Sequence, residues 1–189
     1  MYSKAKIGGV PLHLMFIAFP IAFYTTSLVA FLIYQFAIPE TFWFQLGYFS
    51  TFAGVGTAVL AAIPGVIDWA TGIPKESAGK KRGLIHASLN VAALVLFSLN
   101  AYMLYGSWNT PMTDVTGIWA IALVGVLFTI GAGYHGWELV AVHKVGVSLT
   151  PEQQRLEPIE KMDRKDHEVS RPMTHPRTVQ SIPQRLNQA

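Results

Sequence analysis

Residues 42–67 read FWFQLGYFSTFAGVGTAVLAAIPGVI, and Asp68-Trp69 follow. No charged side chain interrupts this run. It is long enough, as a helix, to cross a hydrocarbon core of roughly 30 Å. A helix that is apolar on every side is buried in a large core or in lipid. One face carries Ser50, Gly54, Thr57, Ala61, Gly65 and Asp68 at helical spacing. Small residues in such a stripe let helix backbones approach closely in lipid, so Ser50, Gly54, Thr57, Ala61 and Gly65 are read as a packing surface. The run ends on Gly65-Val66-Ile67-Asp68-Trp69, which places a carboxylate at the edge of the span.

The rest of the chain repeats the pattern. Apolar runs cover residues 11–38, 84–105 and 117–143. Pro11 suits a first helical turn, where its missing N–H would be unpaired anyway. Pro20 is expected to kink the first run. Short polar turns surround Glu40 and Asp114, and a longer loop over 69–83 holds Lys80-Lys81-Arg82. The composition agrees: 51% of residues are hydrophobic and only 13% charged, about half the charge of an ordinary soluble domain. The expected fold is an all-α membrane protein, a four-helix transmembrane bundle of up-down topology over residues 1–148. The first apolar run is too long for a cleavable leader, and none is expected. Trp69 and Trp108 fall where an aromatic belt would lie.

Lys4, Lys6, Lys75, Lys80, Lys81, Arg82 and Lys144 all fall on one side of this topology, and the opposite loops contain no Lys or Arg. The positive-inside rule then puts both termini and the central loop in the cytoplasm, with the bundle in a bacterial inner membrane. Residues 149–189 are rich in Pro, Gln, Arg, Glu and Asp and cannot bury enough surface to fold alone. They are expected to be an extended cytoplasmic tail, disordered unless bound to a partner. A short helix near 151–164 is the exception, with Thr150 as its cap.

Ionisable residues inside a span are costly and mark candidate sites. By depth, His13, Asp68, His86, His135 and Glu138 converge on the cytoplasmic leaflet. The bland reading is a hydrogen-bond network tying helix ends together. Three sharper readings compete with it, the third being proton transfer along the histidines and carboxylates, for which the outer half lacks a matching relay. Haem b needs two neutral imidazoles from facing helices at similar depth. His86 with His135 is the best pair, and His13 can replace either. Gly131, Gly133 and Gly136 would admit a porphyrin. A metal ion is the second reading, held by His135 and Glu138 at i,i+3 with Asp68, His13 or His86 completing the shell. Without cysteine there is no thiolate site or disulfide. No nucleophile–base pair, phosphate loop or dinucleotide fingerprint is present, so a non-enzymatic role is expected. The net charge of +3 gives no reason to expect a nucleic-acid partner.

Gly8-Gly9-Val10-Pro11-Leu12-His13 with Phe19-Pro20-Ile21, then Gly65-Val66-Ile67-Asp68-Trp69, His86-Ala87-Ser88-Leu89-Asn90, and Glu138-Leu139-Val140 with His143 and Val145-Gly146-Val147 resemble the bacterial membrane family called domain of unknown function 2231. The motifs fall in family order over about residues 7–147. The chain departs from the family pattern at Val10, Leu14 and Ala141, where histidine, proline and tyrosine are usual, and His135 is not at a family histidine position. The resemblance implies a four-helix membrane protein, sometimes found beside Rieske-type redox domains. With the simple bundle and the polar tail, the leading expectation is an accessory subunit of a larger electron-transfer or energy-converting membrane complex. Its partners would be membrane lipids and other membrane-protein subunits, with the tail as a contact. The alternative is a haem b- or metal-binding redox protein.

Overall fold

The computed structural model describes residues 3–147, together with 150–152 and 155. The chain opens with a small hairpin, β1 (Lys6–Ile7) and β2 (Val10–Pro11), paired antiparallel. Gly8 and Gly9 link the strands at φ +58° and +86°. A two-residue hairpin turn with both φ values positive is the geometry glycine supplies most easily. Five helices follow: α1 (Leu12–Phe16), α2 (Ala18–Phe36), α3 (Thr41–Gly72), α4 (Ala78–Leu104) and α5 (Thr116–Ala141). Among the described residues, α1 with α2, then α3, α4 and α5, make four spans long and apolar enough to cross a membrane. They form the up-down bundle of an all-α membrane protein.

The first span is broken rather than smoothly kinked. The break at Ile17 falls one turn before Pro20, which has no N–H for the carbonyl of Phe16. The second and third spans are longer than the apolar runs that announce them. α3 continues past residue 67 to Gly72, and α4 starts at Ala78 rather than 84, so the basic loop shrinks to 73–77. Ser77 caps α4 by accepting from the Lys80 backbone N–H at 3.1 Å. Lys80, Lys81 and Arg82 lie in the helix, because lysine and arginine are good helix formers whose charged ends reach water from an interfacial turn. α5 ends at Ala141 rather than 143. The tail expected to be extended lies almost wholly outside the described residues; Pro151, Glu152 and Arg155 are helical and exposed.

α2 packs along α3 and α4 along α5; narrower seams join α3 to α4 and α2 to α5. At the end holding loops 37–40 and 105–115, large side chains fill the centre. Phe31, Phe44, Leu104, Val115 and Ile118 are all buried there. The middle is a four-layer sandwich with one residue from each long helix. The rings of Tyr24 and Phe97 stack at 3.7 Å. Gly54 lies against the outer face of the first ring and Gly125 against that of the second. Polar bonds tie the pairs together: Ser27 Oγ with Thr51 Oγ1 at 2.7 Å, and Asn100 Nδ2 donating to Ile118 O at 2.9 Å. The outer faces stay apolar and exposed, as with Val95, Leu127 and Ile130.

Candidate functional site

The opposite end of the bundle, beside the 73–77 loop, is not filled. A cavity of about 500 Å³ lies there, lined from all four spans. His13 and His86 both line it, and their rings meet edge to face with centres 6.0 Å apart. Each ring is fixed in the same way. His13 Nδ1 donates to the Ala61 carbonyl of α3 at 2.8 Å, and His86 Nδ1 donates to the Ala132 carbonyl of α5 at 2.8 Å. A carbonyl only accepts, so each Nδ1 carries a proton, and in the neutral form of the ring the lone pair is on Nε2.

Glycines make both placements available. A Cβ at Gly65 would lie 2.8 Å from His13 Nδ1, and one at Gly136 would lie 3.1 Å from His86 Cε1. Pro64 removes the N–H that would reach the Leu60 carbonyl; the Ala61 carbonyl, one residue further on, is the one His13 takes. The two Nε2 atoms are not equivalent, because Asn90 Nδ2 lies 3.2 Å from that of His86 and also donates to the His86 carbonyl at 2.9 Å.

Asp68, Lys80, Arg82, His135 and Glu138, at this same end, are engaged elsewhere. Asp68 lines the cavity mouth, but its carboxylate accepts from Ser3 Oγ and the Lys4 backbone N–H, both at 2.7 Å, and from the Ala5 N–H at 3.0 Å. It therefore latches the N-terminal hairpin onto α3. Pro11 and Leu14 close the mouth from that side, and a Cβ at Gly146, whose φ is +77°, would lie 3.8 Å from Pro11 Cγ and 3.9 Å from Leu14 Cδ1. Lys80 Nζ donates to the Trp69 carbonyl and sits 4.0 Å over the centre of its ring, while Trp69 Nε1 donates to Lys80 O. Trp69 is thus a packed wall of the cavity. Trp108, at the other end, meets Tyr48 edge to face.

His135 and Glu138 form a separate cluster that does not line the cavity. His135 Nδ1 lies 3.0 Å from Glu138 Oε2, and Arg82 Nε lies 3.5 Å from the same oxygen. The structure thus brings His13 to His86 across the bundle, the alternative the sequence allowed beside the pairing of His86 with His135. Among the described residues no three His, Asp or Glu side chains converge on one point suited to a metal ion. Two axial imidazoles need no third protein ligand. Two rings sharing an ion at about 2.0–2.1 Å per bond would have centres roughly 5–6.5 Å apart, a range that includes this pair. Such a ligand would displace the Asn90 bond at His86 Nε2.

The small residues of α3 lie beside neighbouring rings. Gly54 receives the Tyr24 ring and Gly65 the His13 ring; Ser50, Gly54 and Ala61 are buried. Thr57 Oγ1 turns back to the Ala53 and Gly54 carbonyls. Of the glycines expected to admit a porphyrin, Gly136 lies against His86 and Gly131 against Leu89, while a Cβ at Gly133 would meet nothing within 4 Å. The latch on Asp68 is absent from the sequence reading; Gly8-Gly9 was the available signal for the hairpin.

A family model described as "Predicted membrane protein (DUF2231)" matches residues 9–149, well over half of the chain, and the chain belongs to that family. No curated protein and no solved structure matches it.

Proposed function

We propose that this DUF2231 member is a non-enzymatic membrane subunit that holds a small lipid-soluble ligand in the cavity at its basic end. One observation carries the reading. His13 and His86 line the cavity with their Nδ1 atoms anchored, leaving Nε2 of His13 as an acceptor, while Asp68, His135 and Glu138 are spent on structural bonds. A site with two oriented imidazoles, apolar walls and no nucleophile–base pair favours binding over turnover. An accessory place in an electron-transfer or energy-converting complex follows as the cellular setting. In that setting the basic end faces the cytoplasm from an inner membrane, as the lysine and arginine distribution favours. The tail then lies along a partner subunit. The test is gentle purification from the native membrane, followed by solvent extraction and mass spectrometry. One extractable small molecule per chain is the expected result. Deletion of 150–189 is expected to lose protein partners without losing that molecule; unchanged co-purification would remove the tail from the proposal.

A second reading is a redox site in which His13 and His86 are the axial ligands of haem b or bind a single metal ion. Their separation and their anchored Nδ1 atoms favour it, since histidine ligands commonly donate their other N–H to a backbone carbonyl. A reduced-minus-oxidised spectrum with metal analysis on the same sample decides it. A haem band lost in both His13→Ala and His86→Ala supports this reading, and a blank spectrum without metal ends it.

A further inference from the structure

We propose that the cavity is a binding site for a free fatty acid, with the carboxyl head at His13, beside His86, and the chain running inward to the Tyr24–Phe97 stack. This rests on the ligand-holding reading above and gives it a chemistry. The shape comes first. The lining runs from Ala58 to Trp69 on α3, from Gly83 to Leu94 on α4 and from Thr129 to Val140 on α5. At 1.5 Å per helical residue each wall is roughly 16 Å long. A volume of about 500 Å³ over that length leaves a cross-section of roughly 30 Å², the scale of one hydrocarbon chain. The floor is Tyr24, which is 3% exposed and held by Phe97 at 3.7 Å. Ile21, Val66 and Val91 line the cavity and are also 45–58% exposed on the flanks. A chain can therefore enter sideways from the bilayer through the two narrower seams.

The head follows from the free polar groups. With Nδ1–H committed to Ala61 O, His13 offers a lone pair on Nε2. A carboxylic acid satisfies it in either of two forms. Its O–H donates to Nε2, or the proton moves from the carboxyl oxygen to Nε2 and the carboxylate accepts the new N–H. No other atom is exchanged. A quaternary ammonium head fits neither form, and an ester only accepts. The surrounding charges favour an acid: Lys80, Lys81 and Arg82 lie in the first turns of α4, Asp68 is already met by three donors, and Glu138 faces Arg82. A chain leaving lipid for an apolar slot gains little from the hydrophobic effect. Selectivity must come from the head at the histidines and the length stop at Tyr24.

From His86 to Leu94 the path is roughly 12 Å at 1.5 Å per helical residue, the length of a ten-carbon acid. The experiment uses the full chain in lipid nanodiscs and a decanoic acid carrying a diazirine near its methyl end. Illumination is expected to label peptides containing Tyr24 or Leu94, and excess decanoic acid to reduce that labelling at least tenfold. Methyl decanoate should compete at least tenfold more weakly. Ala58→Phe, and independently Gly133→Leu, where a Cβ meets open space, should cut labelling at least fivefold while the protein still folds. Label spread evenly over lipid-facing residues such as Leu127 and Ile130, without competition, overturns the proposal. Equal competition by the methyl ester overturns the head assignment. A neutral lipid, quinone or haem extracted at one per chain overturns the fatty acid and leaves the ligand-holding reading standing. No extractable ligand, with unaltered stability in both filling variants, overturns both.

Discussion

Replacing Gly54 by alanine tests the bundle's central sandwich. The added Cβ would lie 2.6 Å from Tyr24 Cδ1, so the ring must retreat by roughly 1 Å to reach ordinary contact. There is no slack behind it. Phe97 is stacked at 3.7 Å, and Gly125 closes the far side so tightly that its own Cβ would meet Phe97 at 2.7 Å. Overpacking of this kind costs about 1–3 kcal/mol. The usual helix-propensity gain of alanine over glycine is mostly absent, because separated helices in lipid or detergent keep their backbone bonds. The expected loss for Gly54→Ala is therefore about 1–2 kcal/mol, and Gly125→Ala should match it. The double variant should deviate from additivity, since both methyls press on one stack. Gly56→Ala is the control: its Cβ meets nothing within 4 Å, so its expected effect is near zero. The assay is unfolding in mixed micelles by SDS titration, read by tryptophan fluorescence. If Gly54→Ala and Gly56→Ala agree within about 0.3 kcal/mol, the stack yields freely and the reasoning fails.

Asp68→Ala removes three hydrogen bonds at once and should free the hairpin; hydrogen exchange at Lys4 and Ala5 is expected to rise at least tenfold, whereas equal protection would show another anchor. His13→Phe and His86→Phe each delete an interhelical clasp worth about 0.6–1.7 kcal/mol in membrane bundles, and the same SDS titration should register each loss. Asp114 lies outside the spans, and its carboxyl accepts the Thr116 N–H at 2.8 Å. Hydrogen bonds from Thr116 hold it below the usual carboxylate range. A depressed carboxyl stabilises the fold above its unfolded pKa and loses that contribution as pH falls through its folded pKa. The start of α5 should therefore loosen only in acid, and an NMR titration of Asp114 at or above the ordinary value would contradict this.

The spans were legible because hydrophobicity over twenty or more residues needs no tertiary context. Their limits were less so. Lys80-Lys81-Arg82 read as a loop by charge, yet Ser77 caps a helix that includes them. The convergence of His13, Asp68, His86, His135 and Glu138 on one end followed from depth alone. Their partners did not, because depth fixes height along the bundle and leaves rotation about each helix open. His86 turns to Ala132 O and His135 turns to Glu138, choices made by neighbours distant in sequence. Asp68 takes its donors from residues more than sixty positions away, a pairing no local pattern encodes.

The distribution of side-chain size explains why the cavity lies where it does. Toward the 37–40 and 105–115 loops, each helix contributes a large residue to the centre: Phe31, Phe44, Leu104 and Ile118. At the other end the inward positions of α3 and α5 are small: Ala58, Ala61 and Gly65 on one, Ala132, Gly133 and Gly136 on the other. Rings from α1 and α4 reach into that space, yet His13 and His86 fill only part of it. Both are held to the walls by their Nδ1 bonds instead of collapsing inward. Small inward residues alone would let the helices close up, as glycine stripes do elsewhere in lipid. Here the Asp68 latch fastens the hairpin across the mouth and the Arg82–Glu138 pair braces α4 against α5. Releasing the latch should therefore change the cavity as well as the hairpin, so Asp68→Ala ought to alter ligand retention even though its own carboxylate has no oxygen free for a ligand's head.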